Sequence, residues 1–355
     1  MSDVVEVTQP DPAVDADTQR PARGASPRTA SIFGLGTFLP SGVLTTREVA
    51  QRLGVDEEWI VRRTGIRARR RVGPSERTSD LATIAARRAL EDAAVDAADI
   101  DLVLVATMSQ DEVTPNTAPL VAHALGAERA GAFDVGAACT GWLAALAQAA
   151  ALIESGRAER VLVVGVDTLT RMTDYDDPMV AGLFGDGAAA VVVGPDGDGA
   201  IGPIRLAADG SLRDVIKASS DDRIVRMDGS STFKFAVSRL SEWIARVAAA
   251  AGWQLDEVDL FVPHQANGRI IRAVGQRLEL DPAKVADYVG EIGNTSAASI
   301  PIALSLLRAD GRLRPGHKVI VAAVGAGFTW GAGALTWSRP ERRSVVGARA
   351  SLACG

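Results

Sequence analysis

The stretch Phe133-Asp134-Val135-Gly136-Ala137-Ala138-Cys139-Thr140-Gly141-Trp142 joins the end of an apolar strand pattern to the start of an alanine-rich helix pattern. The helix pattern runs on to about Leu152. A cysteine at such a junction meets the unpaired N–H groups and the positive dipole end of the helix, and both favour the thiolate. The stretch therefore predicts an α/β fold in which Cys139 is a nucleophile between strand and helix.

Two later segments carry polar side chains that complement this thiol. Val262-Pro263-His264-Gln265-Ala266-Asn267 offers an imidazole, and Gly293-Asn294-Thr295-Ser296-Ala297-Ala298-Ser299 offers a carboxamide. A thiol, an imidazole and an amide together indicate covalent acyl chemistry on a thioester. We predict that Cys139, His264 and Asn294 are catalytic. The neutral Asn294 favours carbon–carbon bond formation, because an Asp there would support acyl transfer to a hydroxyl or amine, or hydrolysis.

Composition excludes several classes of protein. The 355 residues are 47% hydrophobic and 23% charged, as in a globular protein with a large core. A formal charge of −6 argues against nucleic-acid binding. No apolar run reaches about 18 residues, so no membrane-spanning helix is expected. Two cysteines are too few for a disulfide framework or a zinc site, which favours the reducing cytoplasm and predicts no metal.

An internal repeat organises the middle of the chain. Similar buried strands begin near Leu102 and Leu260, and a second similar pair begins at Val161 and Val319. The members of each pair are 158 residues apart. The position 158 residues after Cys139 is Ala297, in the segment that follows the predicted catalytic Asn294. Three matches at one offset predict a duplicated α/β half rather than two unrelated domains.

The chain divides at composition changes and turn-rich stretches. Strand patterns at residues 161–166 and 188–193 alternate with helix patterns at residues 81–94 and 140–153. The ends lack apolar patterning, and the start lacks the features of a signal peptide. The predicted domains are a disordered tail at residues 1–30, an N-terminal half with the cysteine at residues 31–195, a C-terminal half with the histidine and asparagine at residues 196–337, and a tail at residues 338–355 containing an incidental Cys354.

Six short motifs follow one another along the chain. They are Glu58-Trp59-Ile60-Val61-Arg62-Arg63-Thr64-Gly65-Ile66, Ala137-Ala138-Cys139, Phe184-Gly185-Asp186-Gly187-Ala188, Pro263-His264-Gln265-Ala266-Asn267, Gly293-Asn294-Thr295-Ser296 and Gly327-Phe328-Thr329-Trp330-Gly331. In this order they resemble beta-ketoacyl-acyl-carrier-protein synthase III, a condensing enzyme, over residues 31–337. The resemblance implies a thiolase-like α/β fold with duplicated halves in a five-layer αβαβα arrangement, a site at their junction and a homodimer.

The resemblance also implies a reaction. Cys139 would take the acyl group of an acyl-CoA starter, and the acyl-enzyme would condense with malonyl-acyl carrier protein after loss of CO₂. His264 and Asn294 would donate hydrogen bonds to the enolate oxygen. The product would be a 3-oxoacyl-acyl carrier protein in fatty acid or polyketide initiation. No cofactor is implied, since the coenzyme A thioester is a substrate.

Further residues match positions with binding roles in this family. The expected coenzyme A contacts are Trp59, Arg63, Arg171, Gly229, Phe233 and Asn267. Separately from the family match, Arg269, Arg272 and Arg277 follow His264 on a helix pattern and would form a basic face in an acidic protein. The expected docking site for the acidic carrier protein therefore comprises Gln265, Arg269 and Arg272. The backbone N–H groups of Cys139 and Ala326 are expected to form an oxyanion hole, although alanine at 326 tolerates positive φ poorly.

The expected acyl pocket comprises Thr114, Trp142 and Val324. Thr114 stands where some relatives place Phe, and it would enter the pocket from the neighbouring subunit, so a longer or branched starter is predicted. Two alternatives stay open: an acyltransferase to a hydroxyl or amine on the same scaffold, and a non-catalytic partner that gates the starter. Asp186 is interpreted as tying a tight turn, outside the chemistry.

Overall fold

The computed structural model describes residues 28–338, so the predicted tails and Cys354 lie almost wholly outside the described residues. The strands are β1 Ser31–Phe38, β2 Gly42–Thr45, β3 Ala68–Arg71, β4 Leu102–Ala106, β5 Gly131–Val135, β6 Val161–Thr168, β7 Asp186–Gly194, β8 Ala200–Ala208, β9 Ile216–Ala218, β10 Val225–Met227, β11 Leu260–Pro263, β12 Lys318–Gly325 and β13 Thr329–Thr336. The helices are α1 Thr46–Leu53, α2 Glu57–Thr64, α3 Thr78–Ala93, α4 Thr117–Leu125, α5 Gly141–Glu154, α6 Gly229–Ala250, α7 Gly268–Arg277, α8 Val289–Ile292 and α9 Ser299–Ala309. Within this part of the chain, no helix combines the length and apolar character needed to cross a bilayer.

Two mixed sheets form the centre of the molecule. The first has the order β1-β7-β6-β4-β5 and the second the order β11-β12-β13-β8. In the first, β4 and β6 are parallel while β7 is antiparallel to both of its neighbours. In the second, β11 and β12 are parallel while β13 is antiparallel to both of its neighbours. The second sheet therefore repeats the β4-β6-β7-β1 part of the first.

The repeat extends to the register of individual residues. Leu102 pairs with Val161 between β4 and β6, and Leu260 pairs with Val319 between β11 and β12. Each member of the second pair lies 158 residues after its counterpart. The predicted duplication is therefore confirmed at the level of strand pairing.

Helices cover both sheets and fill the space between them. Helices α3 and α4 pack on the outer face of the first sheet, and α6 and α7 pack on the outer face of the second. Helices α5 and α9 lie between the sheets, where Leu146 and Leu304 are fully buried. This stacking is the predicted five-layer αβαβα arrangement, and it follows from each sheet having two apolar faces to bury.

The predicted elements in the N-terminal half are confirmed, with ends that differ by at most three residues at α3, α5, β6 and β7. Helix α5 is rich in alanine, which has the highest helix propensity, and it ends just before Gly156 at a φ of 68°. The chain passes from β7 to β8 between Gly194 and Ala200. The division into domains at residue 195 stays a prediction.

A pair of equivalent tight turns brings the two halves together. The turn Ala138–Thr140 precedes α5, and the turn Ser296–Ala298 precedes α9. Ala138 has a φ of 45° and Ser296, 158 residues later, has a φ of 49°. The two turns contact each other, so the cysteine and the segment after Asn294 lie on either side of one junction.

Candidate active site

A cavity of about 420 Å³ lies at this junction. The three predicted catalytic residues, Cys139, His264 and Asn294, all line it. Its walls are mainly apolar and include Met108, Leu169, Leu183, Phe184, Ile216, Val225, Met227 and Val324. Because residues from both halves line the cavity, neither half forms it alone.

Cys139 lies in the tight turn immediately before α5, against strand β12. A Cβ atom added to Gly325 would lie 2.9 Å from the Cys139 backbone nitrogen, so this close approach requires glycine. Although the residue keeps some exposure, its thiol is desolvated, and burial followed by the Asp167 charge raises the pKa of Cys139 to about 12. Burial therefore acts against the thiolate that the helix start is expected to favour, and the favoured thiolate stays a prediction.

His264 follows β11 and is 1% exposed. Its backbone N–H donates to Ala322 O at 2.7 Å, which fixes the residue beside β12. The ring Nδ1 lies 3.0 Å from Ser299 Oγ, the first residue of α9, and Ser299 Oγ also accepts from the Gln265 backbone N–H at 2.6 Å. Burial lowers the pKa of His264 to about 3, so the imidazole is neutral at physiological pH.

Asn294 is held on both its backbone and its side chain. Its N–H donates to Leu183 O at 2.9 Å, and its carbonyl accepts from Gly185 N at 3.0 Å. The side-chain Oδ1 accepts from Ser296 N at 2.9 Å. With the oxygen engaged, the Nδ2 group is the part of the amide that can donate to a bound group.

The mouth of the cavity carries aromatic rings and cations. The Arg63 guanidinium stacks 4.0 Å from the centre of the Trp59 ring, and Arg269 lies 5.1 Å from the centre of the Phe233 ring. Asn267 caps α7 through a bond from Arg269 N, and its Nδ2 donates to Arg63 O at 3.1 Å. These five residues line the cavity together with Gly229.

Arg171 does not join this group. It is exposed, and its guanidinium donates to the carbonyl oxygens of Gly73 at 3.0 Å and Glu76 at 2.6 Å. Pro178 and Met179, which follow Arg171 in the chain, line the cavity, whereas Arg171 does not. Arg171 therefore lies outside the lining of this cavity, and its expected contact with coenzyme A stays a prediction.

Gln265 is fully buried, so the expectation that it contacts a carrier protein is also wrong. Its Nε2 donates to Pro263 O at 2.8 Å and Ala286 O at 3.1 Å, and its Oε1 accepts from Tyr288 N at 2.7 Å. The amide satisfies backbone groups inside the protein. Arg272 is exposed beside α7 and lies 3.7 Å from Asp287.

The three expected acyl-pocket residues have three different positions. Trp142 is 1% exposed in the core between the sheets and does not line the cavity, so its expected role is wrong. It follows the first residue of α5, where its side chain packs into that core. Val324 lines the cavity. Thr114 is exposed and lies outside the cavity of its own chain, which leaves the expected contribution from a neighbouring subunit as a prediction.

Ala326 also lines the cavity, and the expected strain at this position is absent. The positive φ in this turn, 135°, belongs to Gly327 rather than Ala326. Alanine therefore fits here without the penalty that the sequence predicts.

Two buried aspartates that were not predicted to be catalytic accept hydrogen bonds from backbone N–H groups in this part of the fold. Asp186 accepts from Val72 N and Thr170 N, both at 2.8 Å, which agrees with its interpretation as a turn residue. Asp167 accepts from Met108 N at 2.9 Å and from Ala297 N at 3.2 Å, so it joins the two halves behind the cysteine. No local sequence pattern marks Asp167 as part of the site. For Ser299, the sequence carries one signal of a role near the site, which is the helix pattern that begins after Asn294.

Two families and many known proteins are similar to this chain. The family described as 3-Oxoacyl-[acyl-carrier-protein (ACP)] synthase III matches residues 133–210. The family described as 3-Oxoacyl-[acyl-carrier-protein (ACP)] synthase III C terminal matches residues 248–337. Beta-ketoacyl-[acyl-carrier-protein] synthase III of Laribacter hongkongensis is 44% identical over 314 residues, which make up 86% of this chain and 98% of that protein.

Solved structures are similar as well. The synthase III of Thermus thermophilus is 40% identical with a TM-score of 0.83, and the match covers 86% of this chain and 99% of that one. The priming beta-ketosynthase of the R1128 polyketide biosynthetic pathway is 37% identical with a TM-score of 0.85, and the match covers 90% and 99%. Because these similarities extend over most of both chains, the chain belongs to the beta-ketoacyl-[acyl-carrier-protein] synthase III family.

Proposed function

We propose that this protein condenses an acyl-CoA starter with malonyl-acyl carrier protein to give a 3-oxoacyl-acyl carrier protein. The observation that carries the proposal is the meeting of Cys139, His264 and Asn294 in one cavity built from both halves. In the first step, the Cys139 sulfur attacks the thioester carbonyl. The bond to coenzyme A breaks, the proton of Cys139 passes to the departing thiolate, and free coenzyme A leaves.

In the second step, the malonyl thioester loses CO₂ and becomes an enolate. His264 and Asn294 donate hydrogen bonds to the enolate oxygen. The carbanion then attacks the acyl carbonyl, the bond to Cys139 breaks, and the released cysteine thiolate takes up a proton from solvent. The neutral state of both donors favours this role, because a buried general base would need an imidazole that protonates near neutral pH.

The oxygen of the acyl group also gains negative charge when its carbonyl is attacked. We propose that the backbone N–H groups of Cys139 and Ala326 stabilise it. Support comes from the position of both residues on the cavity wall.

The cavity mouth suits both partners. The stacked Trp59 and Arg63 offer an aromatic face and a cation to the nucleotide end of coenzyme A. Arg269 and Arg272 are exposed on α7 and offer cations to an acidic carrier protein. We further propose a cytoplasmic homodimer in which Thr114 enters the neighbouring acyl pocket, with no cofactor beyond the substrates.

The nucleophile is tested by intact-mass spectrometry after incubation with acetyl-, butyryl- and octanoyl-CoA. The wild-type protein is expected to gain one acyl group, and peptide mapping is expected to place it on Cys139. Cys139→Ala, which lacks the thiol, is expected to gain none. A wild-type yield of adduct on Cys139→Ala would overturn the assignment.

A further inference from the structure

Ser299 is the one side chain that contacts the ring nitrogen Nδ1 of His264 among the described hydrogen bonds, at 3.0 Å. Ser299 is fully buried, and His264 is 1% exposed. The contact joins the end of β11 to the first residue of α9, 35 positions apart in the sequence. It therefore depends on the fold rather than on a local turn.

The direction of this hydrogen bond follows from the other partner of the hydroxyl. Ser299 Oγ already accepts the Gln265 backbone N–H at 2.6 Å. A buried hydroxyl also needs an acceptor for its single proton. Among the hydrogen bonds of residues 28–338, His264 Nδ1 is the acceptor open to that proton.

The protonation of the ring then follows. Because burial keeps the imidazole neutral, the ring carries one proton. If Nδ1 accepts from Ser299, that proton is on Nε2. The opposite tautomer would place two protons between Nδ1 and Oγ, or leave the Ser299 hydroxyl buried without an acceptor.

We propose that Ser299 is a positioning residue that fixes His264 in the Nε2-protonated form. With Nδ1 held by α9, Nε2 is the nitrogen left to act on a group bound in the cavity, and it acts as a donor. Asn294 Nδ2 is the second donor, since its Oδ1 is engaged by Ser296 N. The site thus presents two N–H donors to an oxygen that gains negative charge. This inference rests on the proposed function, and it explains why the His264 ring is a hydrogen-bond donor in the condensation step.

The protonated Nε2 of His264 affects acylation and condensation differently. An Nε2 that already carries a proton cannot accept the proton of Cys139. Acylation is therefore expected to be less sensitive to Ser299 than condensation. Loss of a whole donor typically costs about 10²–10³ in rate, and partial loss of the correct tautomer costs less.

The tautomer is measured directly by ¹⁵N NMR of protein labelled in its imidazole nitrogens. The chain has three histidines, so a background carrying His123→Gln and His317→Gln leaves His264 as the observed ring. The expected spectrum shows a protonated Nε2 and an unprotonated Nδ1. A proton on Nδ1 would overturn the proposal without any further variant and without any assay of condensation.

The role of the hydroxyl is tested with Ser299→Ala and Ser299→Thr. In Ser299→Ala, the Nε2-protonated fraction should fall, and malonyl condensation by the pre-formed acyl-enzyme should slow by about ten- to a hundredfold, short of complete donor loss. Acylation by acetyl-CoA should change by less than about threefold, and Ser299→Thr should restore both the tautomer and the rate. An unchanged tautomer in Ser299→Ala, or equal slowing of both steps, would overturn the proposal.

Failure of the wild-type protein to condense malonyl-acyl carrier protein would instead overturn the proposed function. The two failures can be distinguished because the ¹⁵N spectrum reports the tautomer of His264 without any assay of condensation.

Discussion

Asn294 shows how one side chain can be held and still remain available. Two backbone hydrogen bonds fix its position next to Leu183 and Gly185, and a third from Ser296 N occupies its oxygen. The remaining N–H₂ group lies at a cavity that also contains Cys139 and His264. At this scale the site is defined by which polar groups already have partners within the protein and which N–H groups remain to donate to a bound molecule.

Asn294→Ala is expected to keep self-acylation and to lose condensation with malonyl-acyl carrier protein by about 10²–10³ in rate. The reason is that, in the proposed mechanism, the amide donates to the enolate oxygen of the second step and has no part in acylation. Parallel assays of acyl-enzyme formation and of 3-oxoacyl product check this. Arg205→Ala, on strand β8 away from the cavity lining, serves as the control. Equal rates of product formation in Asn294→Ala and the wild type would remove the amide from the mechanism.

At the scale of elements, the cysteine turn is held by the close approach of strand β12. The added Cβ of Gly325→Ala would lie 2.9 Å from Cys139 N and 3.1 Å from Cys139 Cβ. The neighbouring atoms are backbone or belong to the nucleophile, so they cannot move without displacing the turn. Gly325→Ala is expected to destabilise the fold by about 1–3 kcal/mol and to slow acylation.

Urea unfolding and acyl-enzyme formation measure the two effects. Gly210→Ala is a matched control, because its added Cβ would meet nothing within 4 Å. If Gly325→Ala acylated at the wild-type rate with wild-type stability, the close packing of β12 on the turn would not be needed for stability or for acylation.

The element scale also shows what the sequence could predict. Strands and helices of the first half were predictable because their apolar runs and alanine-rich stretches are long and periodic. The duplication was predictable from one repeated offset. The expected binding roles of Trp142 and Gln265 were wrong because their motifs predict only that these residues lie near the site. The direction of each side chain depends on how its element packs in the fold. The contact between His264 and Ser299 joins two elements, and no local pattern contains it.

At the scale of the whole molecule, burial of the catalytic groups makes stability depend on pH. His264 has a pKa lowered to about 3, against about 6.5 in an unfolded chain, so the unfolded state binds the extra proton between these values. Stability contributed by neutral His264 is therefore present above about pH 6.5 and is lost as the pH falls toward 3. The thiol has the opposite sign: with the pKa of Cys139 raised to about 12, stability is present below about pH 8.5 and is lost as the pH rises further.

His264→Ala is expected to lose stability less steeply than the wild type as the pH falls from about 6 to 4. The difference in slope is expected to approach 1.4 kcal/mol per pH unit, the value for one proton. Urea titrations of both proteins across this range measure it, and the comparison cancels the contributions of other groups such as Asp186. Parallel pH profiles would show that the imidazole is not buried in a neutral form.

In the proposed reaction, one acyl group is bound to Cys139 and leaves it by carbon–carbon bond formation. The most direct measurement follows the intact mass of the acylated wild-type protein when malonyl-acyl carrier protein is added. The adduct is expected to disappear as an equal amount of 3-oxoacyl-acyl carrier protein and CO₂ forms. Loss of the adduct without CO₂ and the 3-oxoacyl product, for example to a hydroxyl or amine acceptor, would contradict the proposed mechanism.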